Sequence, residues 1–447
     1  MSINHSIKGG ASYKKGTSLI LVVLYCIVYN YIYRFFVNEH FSYMLDNYYH
    51  QLSGVGFLLF FLLASMPILF FNGVKTIASA ISFFVYILAY IPFIHALWSY
   101  NYPSSLVFAY SLVLFLSMCL FFMTDSLYFG RSFFRIKRGL LPFHVLEKFI
   151  YVLLIITVLM NLSQLHFSNF ISVNSDLYEA RANNNMKGAY FVFWLKGALL
   201  PLLEVYYLKK RKYLGYGLVV VGFVLLYMID KQKFTFLFPF ILTGLFYVIM
   251  KSREYFMSRF HVTMISLLAI PAFILVYYLH RNNLTVDSSP FLFIVVSIFV
   301  MRSICICGME TVRYMDFFEI QKNPYTYYGH VNIIDAIFHV YPYSQSVGQT
   351  VSTTGGNSNA TFWMMDGVAA GGILGCIIIS LIFILFKSFV NSMDTKVDRL
   401  LCVAMLLGGI FTLLNVSLFT SINSSGILLL YLICIFFDTK ELADLNQ

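Results

Sequence analysis

Residues 329–367, GHVNIIDAIFHVYPYSQSVGQTVSTTGGNSNATFWMMDG, stand out from an otherwise apolar chain because acid, imidazole, phenol and small polar side chains crowd together there. His330, Asp335 and His339 are of the types that take a proton from a hydroxyl group, and Asp366 adds a carboxylate where an apolar run begins. Tyr325, Tyr328 and Tyr341, with Tyr327 and Tyr343 beside them, offer the flat faces and hydroxyls that hold sugar rings. Each has a plainer reading. A single histidine more often packs than reacts, and an acid at a helix start is stabilised by the helix dipole without doing chemistry.

A second set is cationic. Lys196 lies within an apolar run, FVFWLKGALLPLLE, where charge is costly and marks function by default; Glu204, eight residues on, is a partner for a buried pair. Lys231 and Lys233, in MIDKQKFTF, stand where two apolar runs meet, and anchoring to lipid headgroups competes there with catalysis. Arg302 and Arg313 are eleven residues apart, about 20° from alignment on a continuous helix, so they share one face of an amphipathic element. Arg181 and Arg281 complete the set. Arginine grips phosphate bidentately, which makes these seven residues candidates for holding a lipid-linked phosphate or pyrophosphate. Snorkelling, or pairing with Asp176, Glu179, Asp230 or Asp287, is the competing explanation.

The elements that must position these groups follow from composition. The chain has 447 residues, is 60% hydrophobic and 11% charged, and its mean hydropathy is +0.77. Its solvent is lipid. Apolar runs of roughly 18 to 23 residues, long enough to cross a bilayer as helices, recur near 17–37, 54–71, 77–98, 105–123, 147–163, 188–208, 213–229, 234–250, 262–280, 363–386, 399–417 and 421–437. The expected fold is an all-α polytopic membrane protein of about twelve transmembrane helices in a single membrane domain, 1–447, with no internal repeat. The stretch 290–307 is ambiguous by hydropathy. Leaving it out of the membrane, with both termini cytoplasmic, places the basic clusters inside: Lys8, Lys14 and Lys15, 131–138, 209–212, 251–259 and 387–399. The net charge of +10 is then mostly a matter of topology, not of nucleic-acid binding. The seven candidate cations above, with Arg34, Lys187 and Lys322, are left on the other side.

Two long external segments result, 164–187 and 281–362, the larger carrying short helices. Function is expected there. Pro67, Pro92, Pro201, Pro239 and Pro271 mark kinks, and the seven cysteines read as small buried hydrophobes. No D-x-D pair, phosphate-binding glycine loop or H-E-x-x-H is present, so neither a metal-clamped nucleotide-sugar transferase nor an ATP-driven pump is supported, and no metal or other cofactor is expected.

The chain resembles the Wzy-type polymerases of O-antigen or capsular repeat units over most of its length. The resemblance rests on the twelve-odd spans, the two external segments, the basic residues around DKQKFTFLFP, and TTGGNSNATFWMMDGVAAGGILG before the last spans. Two R-x15-G spacings, Arg181 to Gly197 and Arg313 to Gly329, are similar to motifs of some members. The resemblance implies a bacterial inner-membrane enzyme that joins oligosaccharides carried on undecaprenyl pyrophosphate, without metal, with membrane lipids and a chain-length regulator protein as further partners. A lipid-linked oligosaccharide flippase and an O-antigen ligase are the alternatives.

Overall fold

The structure is a computed structural model. It describes residues 15–45, 49–52, 54–127, 139, 141–165, 186–251, 253–285, 288–352, 358, 362–395, 406, 408–410 and 412–438. Among these the regular structure is helical, with isolated bridges in place of strands. Eight helices are long and apolar enough to cross a membrane, and up to ten if two bent pairs each count as one span. The protein is thus an all-α polytopic membrane protein by architecture. The chain divides into two compact units.

The first unit comprises Met1–Leu127, Glu254–Lys387 and Leu414–Leu418. Its central span, Ile77–Ser99, is buried along its length but for Trp98, which is half-buried. Thr76 starts it with a capping box, accepting from the Ser79 amide while Ser79 reciprocates, and the Thr76 hydroxyl donates to the Asp125 carbonyl at 2.7 Å. A π-helical turn, Tyr86–Tyr90, precedes Pro92. Proline lacks the amide proton for the carbonyl four residues back, and the widened turn relieves the clash. The second unit, Tyr128–Arg253 with Ser388–Leu413 and Phe419–Gln447, repeats the device. The turn Leu195–Leu199 precedes Pro201 and carries Lys196. Gly197, in that turn, has no room for a Cβ because the Ser425 carbonyl fills the space.

Helix Met364–Asn391 of the sequence-expected tenth span is not one rod. Gly371 (φ 175°, ψ 36°) and Gly372 (φ 62°, ψ −135°) break it, and the chain reverses. A Cβ on Gly367 would stand 2.5 Å from the Cα of Cys376, and one on Gly375 would strike the Gly367 carbonyl. The Trp363 indole donates to the Ser380 hydroxyl at 2.7 Å, and the rings of Phe362 and Phe383 are 4.4 Å apart. Residues 364–370 therefore fold back along 373–391 as a helical hairpin with a two-glycine tip. The small residues that let helices approach serve this hairpin. Only glycine adopts the Gly372 backbone without strain.

At the far end of the same hairpin Lys387 is fully buried. Its ammonium donates to Asp125 Oδ1 at 2.8 Å and Ser82 Oγ at 3.1 Å, and faces the rings of Phe121 and Phe383. Counted by sequence among loop cations, it is an internal pair.

Candidate functional site

In the first unit, three segments distant in sequence meet at the hairpin. Breaking the helix at Gly371–Gly372 frees backbone carbonyls on its first arm, and the loop after Asn323 supplies donors. The Thr326 amide donates to the Ala369 carbonyl at 2.7 Å and the Tyr327 amide to the Ala370 carbonyl at 3.0 Å, while the Tyr328 hydroxyl donates to the Gly375 carbonyl at 2.9 Å. Tyr327 and Tyr328 take left-handed backbone conformations (φ 47° and 62°) to do so. The next turn delivers His330. Its Nε2 lies 2.8 Å from Asp366 Oδ1 and its Nδ1 2.7 Å from the Thr326 hydroxyl. The other carboxylate oxygen of Asp366 accepts from the Leu418 amide at 2.9 Å. Both ring nitrogens and both carboxylate oxygens are thus engaged, and the pair is buried, 3% and 0% exposed. As it stands the pair positions the hairpin; to act on a substrate it must first exchange a partner.

Glu319 is the acid that sequence reasoning missed. Its Oε1 accepts from the Tyr110 hydroxyl at 2.6 Å and the Tyr325 hydroxyl at 3.0 Å, and Lys322, well exposed, approaches Oε2 at 3.6 Å. A Cβ on Gly372 would meet Glu319 Oε1 at 2.8 Å and the Tyr325 hydroxyl at 2.9 Å, so the hairpin tip sits directly on this cluster. The signal was an acid three residues before Lys322 and six before Tyr325, in FEIQKNPYTYY. Burial, then the Glu319 charge, pushes the Tyr325 hydroxyl up to about 12. Burial raises Tyr341 to about 12 as well and moves Tyr328 in the same direction. All three stay protonated donors near neutrality.

The other candidates divide. Asp335 Oδ1 accepts from the Tyr341 amide at 3.0 Å, and its carbonyl accepts from the His339 amide, so both residues close the turn after helix Asn332–Phe338. His339 is exposed there with φ 50°. Arg313 is 8% exposed and donates to Glu310 Oε1 at 3.0 Å and to the Ser358 hydroxyl. The Tyr314 hydroxyl, which donates to the Ser358 carbonyl at 2.8 Å, lies within electrostatic reach of Glu310, Arg313, Tyr341 and Asp366. Arg313 thus has its guanidinium already occupied. Its motif partner Gly329 approaches the Tyr341 backbone, where a Cβ would come within 2.8 Å of the amide nitrogen.

The single face expected for Arg302 and Arg313 does not exist, because Pro290–Met301 and Ile306–Ile320 are bent by 69° at the break between them. Arg302 lies on the backbone turn Ser297–Cys305, and Lys233 begins helix Lys233–Lys251; their side chains, and the whole of Arg181, lie outside the described residues. Arg281 is exposed and donates to the Tyr277 hydroxyl at 3.1 Å.

The second unit holds Lys196 and Lys231. The expected partner of Lys196, Glu204, is not the one it finds: its ammonium donates to Asp230 Oδ2 at 2.7 Å and to Gln232 Oε1 at 2.8 Å, and stands 4.8 Å from the Phe193 ring centre. Asp230 also accepts from the Gln232 amide and the Thr235 hydroxyl. Lys231 takes a left-handed conformation (φ 56°) that ends helix Tyr213–Asp230 and lets this turn form.

No family model, curated protein or solved structure matches this chain. What the site can do is read from its own geometry. Among the described residues no three His, Cys, Asp or Glu side chains gather as a metal site. The first unit presents a carboxylate, a histidine–aspartate pair and a bank of protonated phenols around a glycine hairpin tip. That set suits binding a polyhydroxylated ligand and removing a proton from it.

Proposed function

We propose that this protein polymerises undecaprenyl-pyrophosphate-linked oligosaccharide repeat units into O-antigen or capsular polysaccharide. In this reading it lies in the bacterial inner membrane with about twelve spans, both termini in the cytoplasm and 281–362 outside, with a chain-length regulator protein as partner. The observation that carries the reading is convergence. His330, Asp366, Tyr325 and Tyr328, each singled out by residue type, come together on the hairpin built from VAAGGILG, within the segment that carries the family resemblance.

In the reaction, a hydroxyl of the incoming repeat attacks the anomeric carbon of the growing chain. The bond to pyrophosphate breaks, and the leaving group keeps the electron pair. Glu319, whose Oε2 faces the exposed Lys322, takes the hydroxyl proton, while tyrosines 325, 328 and 341 hold the rings. Cations stabilise the leaving pyrophosphate. Of the seven candidate cations, exposed Arg281 stands in the same unit as Glu319, as does Arg302.

Deleting the gene tests the reading with one gel. The surface glycan should collapse from a ladder to a single-repeat band. Loss of all surface glycan would point to a flippase, and polymer left on its lipid carrier to a ligase. A full ladder in the deletion strain would overturn the proposal.

A further inference from the structure

Glu204 takes no part in the chemistry above. It lies in helix Leu200–Lys209 of the second unit and is 0% exposed. Its Oε1 accepts from the Thr243 hydroxyl at 2.8 Å, and its Oε2 is buried without a hydrogen-bond partner. An ionised carboxylate with an orphaned oxygen, inside a bundle that lipid surrounds, costs several kcal/mol unless a cation joins it.

Among the described residues, the neighbouring helices do not supply that cation. Lys196 is bound to Asp230 and Gln232. Glu147, on helix Phe143–Met160, accepts from the Tyr207 hydroxyl, which also takes a hydrogen bond from Tyr151. Helix Lys233–Lys251 presents Thr243, and helix Tyr213–Asp230 presents Tyr216. The Thr243 hydroxyl is 3.1 Å from the Tyr216 hydroxyl. A threonine hydroxyl has one hydrogen, so with that hydrogen on Glu204, Tyr216 is the donor to Thr243. A continuous chain of hydroxyls then runs from the buried carboxyl to half-buried Tyr216, one turn past the exposed end of the basic run at Lys212.

We propose that Glu204 is a proton-exchange site inside the second unit, loaded through Thr243 and Tyr216 from the end of the bundle that carries Lys209–Lys212. In loading, Tyr216 takes a proton from a hydronium ion, which leaves as water, and passes its own to Thr243. Thr243 passes its own to the carboxylate, and each hydroxyl ends as it began. The inference stands independently of the polymerase reading.

The test treats the full-length protein in detergent micelles with dicyclohexylcarbodiimide. This apolar reagent adds to an undissociated carboxyl and rearranges to a stable acylurea with no atom lost, so the Glu204 peptide gains the reagent's mass. Glu204 should be modified near neutral pH, with labelling that falls about tenfold per pH unit once the carboxyl ionises. The same peptide of E204Q should stay unmodified, and sodium chloride in place of choline chloride should change nothing. Failure of Glu204 to react in the folded protein, when it reacts after unfolding in dodecyl sulfate, would overturn the proposal. Suppression of labelling by sodium would overturn it too, by making the occupant an alkali cation.

Discussion

Two lysine–aspartate pairs make an instructive contrast. Lys387–Asp125, in the first unit, and Lys196–Asp230, in the second, have nearly equal N–O separations, 2.8 and 2.7 Å. Their surroundings differ. Lys387 is 0% exposed, and its remaining contacts are the Phe121 carbonyl, Ser82, Thr124 and two phenyl rings. Lys196 is 17% exposed and shares its carboxylate with an amide and a threonine hydroxyl. The first pair can only fasten helices. The second keeps an accessible cation over a carboxylate that other donors already satisfy, so it can lend its charge to a ligand. Distance alone does not distinguish a latch from a site; the burial of the cation and the alternative donors to the acid do.

The largest effect should come from the latch. Asp125→Ala leaves a buried ammonium without its counter-charge, at a cost of about 3–5 kcal/mol. The protein should accumulate poorly and unfold at a much lower temperature in detergent. Replacing both partners, Asp125→Leu with Lys387→Met, should recover most of that loss, and failure to recover would show that the pair does more than fasten.

Next is the His330–Asp366 pair. Asp366→Ala leaves His330 Nε2 and the Leu418 amide without their acceptor, at about 2–3 kcal/mol, and should abolish polymer along with the stability it removes. Thermal unfolding together with the glycan ladder would separate the two losses. Asp366→Asn, which keeps the shape, should retain more stability than polymer. Gly367→Ala should cost about 1–3 kcal/mol, because the clash is with the Cys376 backbone, and the hairpin must open to accept it. A normal melting temperature for this variant would argue against the folded-back arms.

Smallest in stability should be Lys196→Met, at about 1–2 kcal/mol, since Gln232 and Thr235 still donate to Asp230. Its mark should be functional instead, as shorter polymer from protein of near-normal abundance. An unchanged ladder would make this pair a latch like the other.

Hydropathy read most of the architecture well. The expected 77–98, 105–123 and 213–229 are helices Ile77–Ser99, Ser104–Met123 and Tyr213–Asp230. At 363–386 it found the span, Met364–Asn391, but not the break within it, because hydropathy averages over Gly371 and Gly372, although the paired glycines are visible in the sequence. The charged residues were less legible. Lys387 looked like a loop cation because nothing local shows that Asp125, 262 positions away, comes to meet it. The partner of Lys196, Asp230, was only one of four acids named for the cations as a set and competed with Glu204, which is close in sequence, whereas Asp230 arrives through the turn made by the left-handed Lys231. His330 and Asp366 were recognised as types, but their mutual bond depends on the hairpin. Nine of the nineteen residues of the expected span 399–417, and all of Arg181, fall outside the described residues.

The Gly371–Gly372 tip also bears on how the protein is made. The arm 364–370 is seven residues, about 10 Å of helix, against a hydrocarbon core of about 30 Å. It is too short for the insertion machinery to recognise as a span, and its polar Asp366 argues against entry alone. It must be drawn in after 373–391 is seated, by its contacts with that arm and by the loop that caps its carbonyls. The arm that carries Asp366 is thus held in place by docking against its partner arm, not by crossing as a span of its own.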